Sequence, residues 1–166
     1  MQRRTIIIGL ALLMGGTGWY LFRPERLFIN ATINEQFPVT SAVALAAASP
    51  QIVASGQFHG VAHQGTGAAT IYQMADGKRV LRFSEFATSN GPDVQVYLVA
   101  APDAHDNDTV TKAGFFHLGP LKGNIGDQNY ALPPNLDLTK YQAVTIWCRR
   151  FGVNFATAPL MAQSKS

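Results

Sequence analysis

Cys148 is the single cysteine in a chain of 166 residues, and it closes an apolar run, Val144-Thr145-Ile146-Trp147-Cys148, followed directly by Arg149 and Arg150. A lone thiol cannot form an intrachain disulfide, so it is either inert core filling or a chemically available group. The thiolate is the reactive form and nearby guanidinium charge favours it, so Cys148, with Trp147, Arg149 and Arg150 in support, is the candidate redox thiol. Strand alternation would place Val144, Ile146 and Cys148 on one face and Thr145, Trp147 and Arg149 on the other. Because the first face is apolar, burial among hydrocarbon is the competing reading. Exchange chemistry would in any case need a partner thiol from another protein, a low-molecular-weight thiol or a metal, since one sulfur cannot run a dithiol cycle.

Other reactive types are scattered. His59, His63, His105 and His117 are the residues that could join Cys148 around copper or haem iron. On a strand, however, His59 and His63 would stand about 13 Å apart at about 3.3 Å per residue, unless Gly60 turns the chain. His117, between Phe116 and Leu118, reads as a half-buried strand residue, and no Cys-x-x-Cys-His haem attachment motif is present. No cofactor is therefore expected, with a copper or haem centre as the alternative. Asp103, Asp106 and Asp108 lack the glycine and distal glutamate of a helix-loop-helix calcium site and read as a solvated connection. Gly91-Pro92-Asp93 and Lys122-Gly123-Asn124 have turn chemistry, with Asp93, Lys122 and Asn124 as candidate binding-loop residues. No Gly-x-Ser-x-Gly elbow, phosphate-cradling loop or spaced carboxylate pair points to a conventional enzyme.

Thr5 to Phe22 is uncharged and would extend about 27 Å as a helix, close to the thickness of a bilayer's hydrocarbon. Arg3 and Arg4 precede it, Trp19 and Tyr20 lie near its far end, and no A-x-A-like cleavage site follows. This predicts an uncleaved signal anchor over 1–26, a single pass through the cell membrane, and a carboxy-terminal domain outside the cytoplasm. The formal charge of +3 comes from the flanks of that segment. From Leu27 onward nine basic residues face nine acidic ones, and no basic run interleaved with aromatics occurs, so a nucleic-acid partner is not expected.

Residues 27–54 read as an arm followed by an Ala-rich spacer, and 161–166 as a disordered tail. Between them, over 55–160, short apolar runs are broken every eight to twelve residues by Gly, Pro, Asn and Asp. Asp76-Gly77 between two such runs predicts a hairpin. Val94, Val96 and Leu98 alternate with Gln95, Tyr97 and Val99, and further runs fall at 56–59, 113–118, 128–132, 143–149 and 153–158. The expectation is an all-β domain, a single antiparallel sandwich or barrel of seven or eight short strands.

Gly-Pro-Asp-Val-Gln-Val-Tyr-Leu (91–98), Leu-Gly-Pro-Leu-Lys-Gly-Asn-Ile-Gly-Asp-Gln-Asn-Tyr-Ala-Leu-Pro (118–133) and Tyr-Gln-Ala-Val-Thr-Ile-Trp-Cys-Arg-Arg-Phe (141–151) occur in this order. With Gly56-x-Phe58, Gly67-x-Ala69-x-Ile71 and Phe155-x-x-Ala158-x-Leu160, they resemble the DM-thirteen domain, the electron-transfer DM module of Skeletor-type proteins. The resemblance covers 55–160 and implies an extracellular β-rich module in which the cysteine of the Trp-Cys pair, here Cys148, is the redox centre. It also implies a redox partner of unknown identity. The reading from a different class is a surface binding or adhesion module with Cys148 in its core.

Overall fold

The period-two runs become strands of two stacked sheets in the computed structural model, which describes residues 9, 12–20, 29–38 and 50–163. In chain order the strands are β1 (Gln51–Gln57), β2 (His59–Gly60), β3 (Gly65–Gln73), β4 (Arg79–Thr88), β5 (Val94–Val99), β6 (Phe115–Pro120), β7 (Gln128–Leu132), β8 (Ala143–Cys148), β9 (Val153–Pro159) and β10 (Met161–Ala162). One sheet has the order β10-β1-β3-β4-β7 and the other β2-β9-β8-β5-β6, with antiparallel pairing between the strands. The domain is a sandwich and not a closed barrel. Two strands of two residues each, β2 and β10, raise the number above the expected eight, because pairings so short leave no apolar run to announce them. β1 starts at Gln51, inside the segment read as spacer, and β10 draws Met161 and Ala162 of the expected tail into the first sheet.

Leu81, Phe83, Phe86, Ile71 and Ala69 of the first sheet meet Val96, Leu98, Val144, Ile146 and Ala158 of the second in one apolar core. Phe83 and Phe86 are three residues apart, a spacing that strict alternation would send to opposite faces. An irregularity in the β3–β4 register resolves this: Thr66 pairs with Ala87, but Ala68 pairs with Ser84. Glu85 at the bulge has a positive φ of 51°, and Gly67 opposite it has a φ of 94°. A Cβ on Gly67 would lie 2.6 Å from the Ser84 carbonyl oxygen and 2.7 Å from that of Glu85, so the backbones can approach only without a side chain. Phe58 then packs edge-on against both rings, with centroids 5.0 Å from Phe83 and 4.9 Å from Phe86.

The expected hairpin is present. Gly77 has a φ of 82° and its N–H bonds the Met74 carbonyl, while Asp76 accepts from the Lys78 N–H at 3.0 Å. The acidic stretch expected as a solvated connection is instead the start of a helix, Asn107–Ala113. With the helical residues 12–20 as α1, this second helix is α2. Asp106 caps it by accepting from the Thr109 N–H at 2.6 Å, Asp108 lies in its first turn and bridges Lys112 at 2.7 Å, and Val110 is buried beneath it. Asp106 and Asp108 are thus cap and dipole chemistry, while Asp103 stays in the connection before the helix, where it meets His59.

Of the membrane helix expected over 5–22, only Gly9 and α1 are described. Among the described residues no helix is long and apolar enough to cross a membrane. Leu12, Leu13, Met14, Trp19 and Tyr20 of α1 are all exposed.

Replacing Gly67 with alanine forces a positive φ on a side-chain-bearing residue and drives its Cβ into backbone. We predict a loss of about 1–3 kcal/mol, seen as a lower urea midpoint with an unchanged slope.

Candidate functional site

β8 lies between β5 and β9 in the second sheet, and all six of its residues are buried. Val144, Ile146 and Cys148 face the core between the sheets, whereas Trp147 packs on the outer face with Tyr97, Val99, Ala104 and Val110. Alternation thus sorts the strand as expected, but both faces are covered, the outer one in part by α2. Cys148 is a free thiol, fully buried, with no hydrogen bond among the described residues. The reading in which it emerges beside two cations is therefore corrected. The Arg149 side chain turns back to Asp93, Nε donating to Oδ2 at 2.8 Å, and its backbone N–H bonds the Asp93 carbonyl at 2.9 Å. Arg150 is exposed in the turn that follows. A sealed thiol is inert to colliding thiols and to metal ions while the fold is closed.

Next to the sealed sulfur, the outer face carries an aromatic stack. Tyr97 on β5 lies against Phe115 of β6 with ring centroids 4.2 Å apart and planes 1° off parallel. On its other side is Trp147 of β8, with centroids 6.3 Å apart and an interplanar angle of 24°. The His117 ring meets Tyr97 edge-on at 5.3 Å, and His117 Nε2 bonds Gln95 Oε1 at 2.8 Å. His117 is exposed, where a half-buried position was expected. Burial raises the Tyr97 phenol above its ordinary value; Arg149 opposes this and Asp93 adds to it. Nothing in the sequence flags this stack, because its three rings come from three strands and meet only through the β5–β6 and β5–β8 registers.

The three candidate loop residues do meet, around a cleft of about 440 Å³ that Ile29, Asn90 and Val94 also line. Val94 is the register partner of Cys148, so the cleft opens above the end of the strand that carries the sulfur. The polar groups there are engaged within the protein. Asp93 holds Arg149 and accepts from Gln95 Nε2 at 2.6 Å. Lys122 Nζ donates to both Glu35 carboxylate oxygens, at 2.7 and 2.9 Å, and to the Asn129 carbonyl. Asn124 accepts from the Ala31 N–H at 2.8 Å and donates to Asn30 Oδ1 and the Thr88 carbonyl, each at 2.9 Å.

Lys122 and Asn124 thereby clasp the arm. Residues 29–38 lie along the β6–β7 connection, where Ile33 N–H bonds the Ile125 carbonyl and Glu35 N–H bonds the Asp127 carbonyl, both at 2.9 Å. Arg82 pairs with Asp127, donates to the Glu35 carbonyl and sits over the Phe37 ring. Burial acts to raise the Glu35 carboxyl, but hydrogen bonds from Lys122 and Asn129 outweigh it and hold the group below the ordinary glutamate range.

The histidines do not gather around Cys148. His59 Nε2 lies 3.1 Å from the Asp103 carboxylate, the His63 ring lies tilted against Phe155 with centroids 4.0 Å apart, and His105 Nε2 is 3.4 Å from Asp106. Among the described residues no three His, Cys, Asp or Glu side chains converge as a metal site.

Two measurements follow from this geometry. A thiol reagent should label Cys148 in the folded chain far more slowly than in urea; equal rates would show an open path to the sulfur. Glu35 has a folded value below its unfolded one, so its stabilisation is present at neutral pH and is lost as pH falls through and below the carboxylate range, about pH 4. Amide-exchange protection at Ile33 and Glu35 should therefore drop on acidification ahead of protection in β4 and β8, and Glu35→Gln should remove that early step.

The match to a known family covers most of the sandwich. A family model described as electron transfer DM13 matches residues 57–160, from the end of β1 to the residue after β9. No curated protein and no solved structure matches the chain. Because the match spans both sheets, the core and the Trp147-Cys148 strand, the chain belongs to the electron transfer DM13 family.

Proposed function

We propose that the chain is a membrane-tethered, extracytoplasmic electron-transfer module in which Cys148 takes part without leaving the core. The family assignment supplies the reaction class. The observation that carries the reading is the continuity of β8: the sealed sulfur is one peptide bond from Trp147, and the indole joins a stack that ends at Phe115, a ring 45% exposed. An electron can cross packed protein where a colliding reagent cannot, so burial removes thiol exchange from the chemistry and leaves outer-sphere transfer. In that half-reaction the Cys148 thiol gives one electron to a one-electron acceptor on another molecule, leaving a thiyl radical, and its proton passes to water only when the end of β8, which adjoins the exposed turn 149–152, opens. The tether is supported by α1, whose five large apolar side chains are exposed to whatever surrounds it.

A binding or adhesion module with Cys148 as core filling is the second reading, favoured by the absence of any hydrogen-bonding group against the sulfur among the described residues. Hexachloroiridate(IV), a one-electron oxidant, separates the two when mixed with the full chain in detergent micelles. We predict that Cys148→Ala lowers the electrons delivered per chain while the fold, followed by circular dichroism, persists. Undiminished electron delivery by Cys148→Ala would assign the thiol to the core alone.

A further inference from the structure

Tyr97 and Trp147 are the two oxidisable rings of the outer face, and each is nearly buried. Packing alone could be served there by aliphatic side chains, as it is at Val99 and Val110 in the same cluster. Instead an indole and a phenol stand side by side on adjacent strands, and Phe115 covers the far face of the phenol almost parallel to it. A ring held between two others is shielded from water on both faces, while its edge, where the hydroxyl sits, stays free. The Tyr97 hydroxyl makes no hydrogen bond among the described residues. Among the described residues the only sealed side-chain oxygen or nitrogen without a partner is Asn154 Oδ1, so the Tyr97 hydroxyl reaches solvent. Close to this face, the Arg149 and Asp93 side chains form an ion pair.

Resting on the electron-transfer reading, we propose that Trp147 and Tyr97 form the port through which electrons leave the domain, with Tyr97 as the proton-coupled end. The port serves a strongly oxidising one-electron acceptor that meets the outer face of the second sheet around Phe115 and Trp147. The acceptor removes one electron from the Trp147 indole and is itself reduced by one, leaving an indole radical cation. Tyr97 then returns one electron to the indole and releases its phenolic proton to water, so that Trp147 is restored and a neutral phenoxyl radical remains. One electron has left the protein and one proton has entered the solvent. Phe115 takes no part in the oxidation. It keeps water and other radicals off one face of the phenoxyl.

Flash photolysis with ruthenium tris(bipyridine) and persulfate as the sacrificial quencher tests this on the full chain in micelles. Trp19 and Tyr20 are replaced by phenylalanine so that α1 contributes no radical. We expect an indole radical signal that decays as a phenoxyl signal rises. Tyr97→Phe, which removes only the hydroxyl, should abolish the phenoxyl and prolong the indole radical, and Trp147→Phe should slow the appearance of the phenoxyl. Phe115→Ala should shorten the phenoxyl lifetime without changing its yield. A phenoxyl that persists in Tyr97→Phe would place the radical on Tyr72, Tyr130 or Tyr141 and overturn the port. So would phenoxyl kinetics unchanged in Trp147→Phe. If the parent chain reduces hexachloroiridate(IV) but forms neither radical, the port alone fails. If it does neither, the electron-transfer reading fails with it.

Discussion

Burial of β8 on both faces is the constraint from which the rest of the domain follows. A strand in mid-sheet with a covered outer surface has no solvent side, so every side chain must be apolar or internally satisfied. Thr145 meets the requirement by bonding Thr157, at 3.2 Å between hydroxyl oxygens. Each large apolar side chain sealed there contributes about 1.5–3 kcal/mol, so the strand cannot slip by one residue without turning two apolar sets toward the wrong layers. That register holds the sulfur in one layer and the indole in the other. It also brings Trp147 against Tyr97, since β5 and β8 pair Gln95 with Trp147 and Tyr97 with Thr145.

Charge is kept at the rim. The nearest cation in sequence to the thiol, Arg149, is drawn away by Asp93, and Lys122 is committed to Glu35. The interior around Cys148 is left with hydrocarbon and aromatic neighbours, a dry setting in which an isolated whole charge is costly. Aromatic rings rather than loop charges lie between β8 and the exposed Phe115.

How much of this was legible depended on whether the signal was local. The two faces of 143–148 follow from alternation alone, and the hairpin at Asp76-Gly77 follows from the need for a positive φ in a tight turn. α2 was hidden because two turns are too short for a helical period to stand out from polar sequence. Phe83 and Phe86 were hidden because only the bulge opposite Gly67 lets both face inward. Asp93, Lys122 and Asn124 were correctly grouped as loop residues, but their use was not visible: Asn124 serves atoms of residues 30 and 31, more than ninety positions earlier. The arm that they hold was read only as a segment lying on the domain or at its edge. Its partner, the β6–β7 connection, carries no strand pattern of its own.

The clasp around residues 29–38 has a mechanical meaning. Thr32 pairs in parallel with Ile125, and two backbone bonds and the Lys122–Glu35 contact follow within a few residues. Tension arriving from the amino-terminal side meets this row of bonds before it can reach Gln51 and the first sheet. A pull on that side would therefore load these few bonds ahead of the two sheets, whose registers rest on many more.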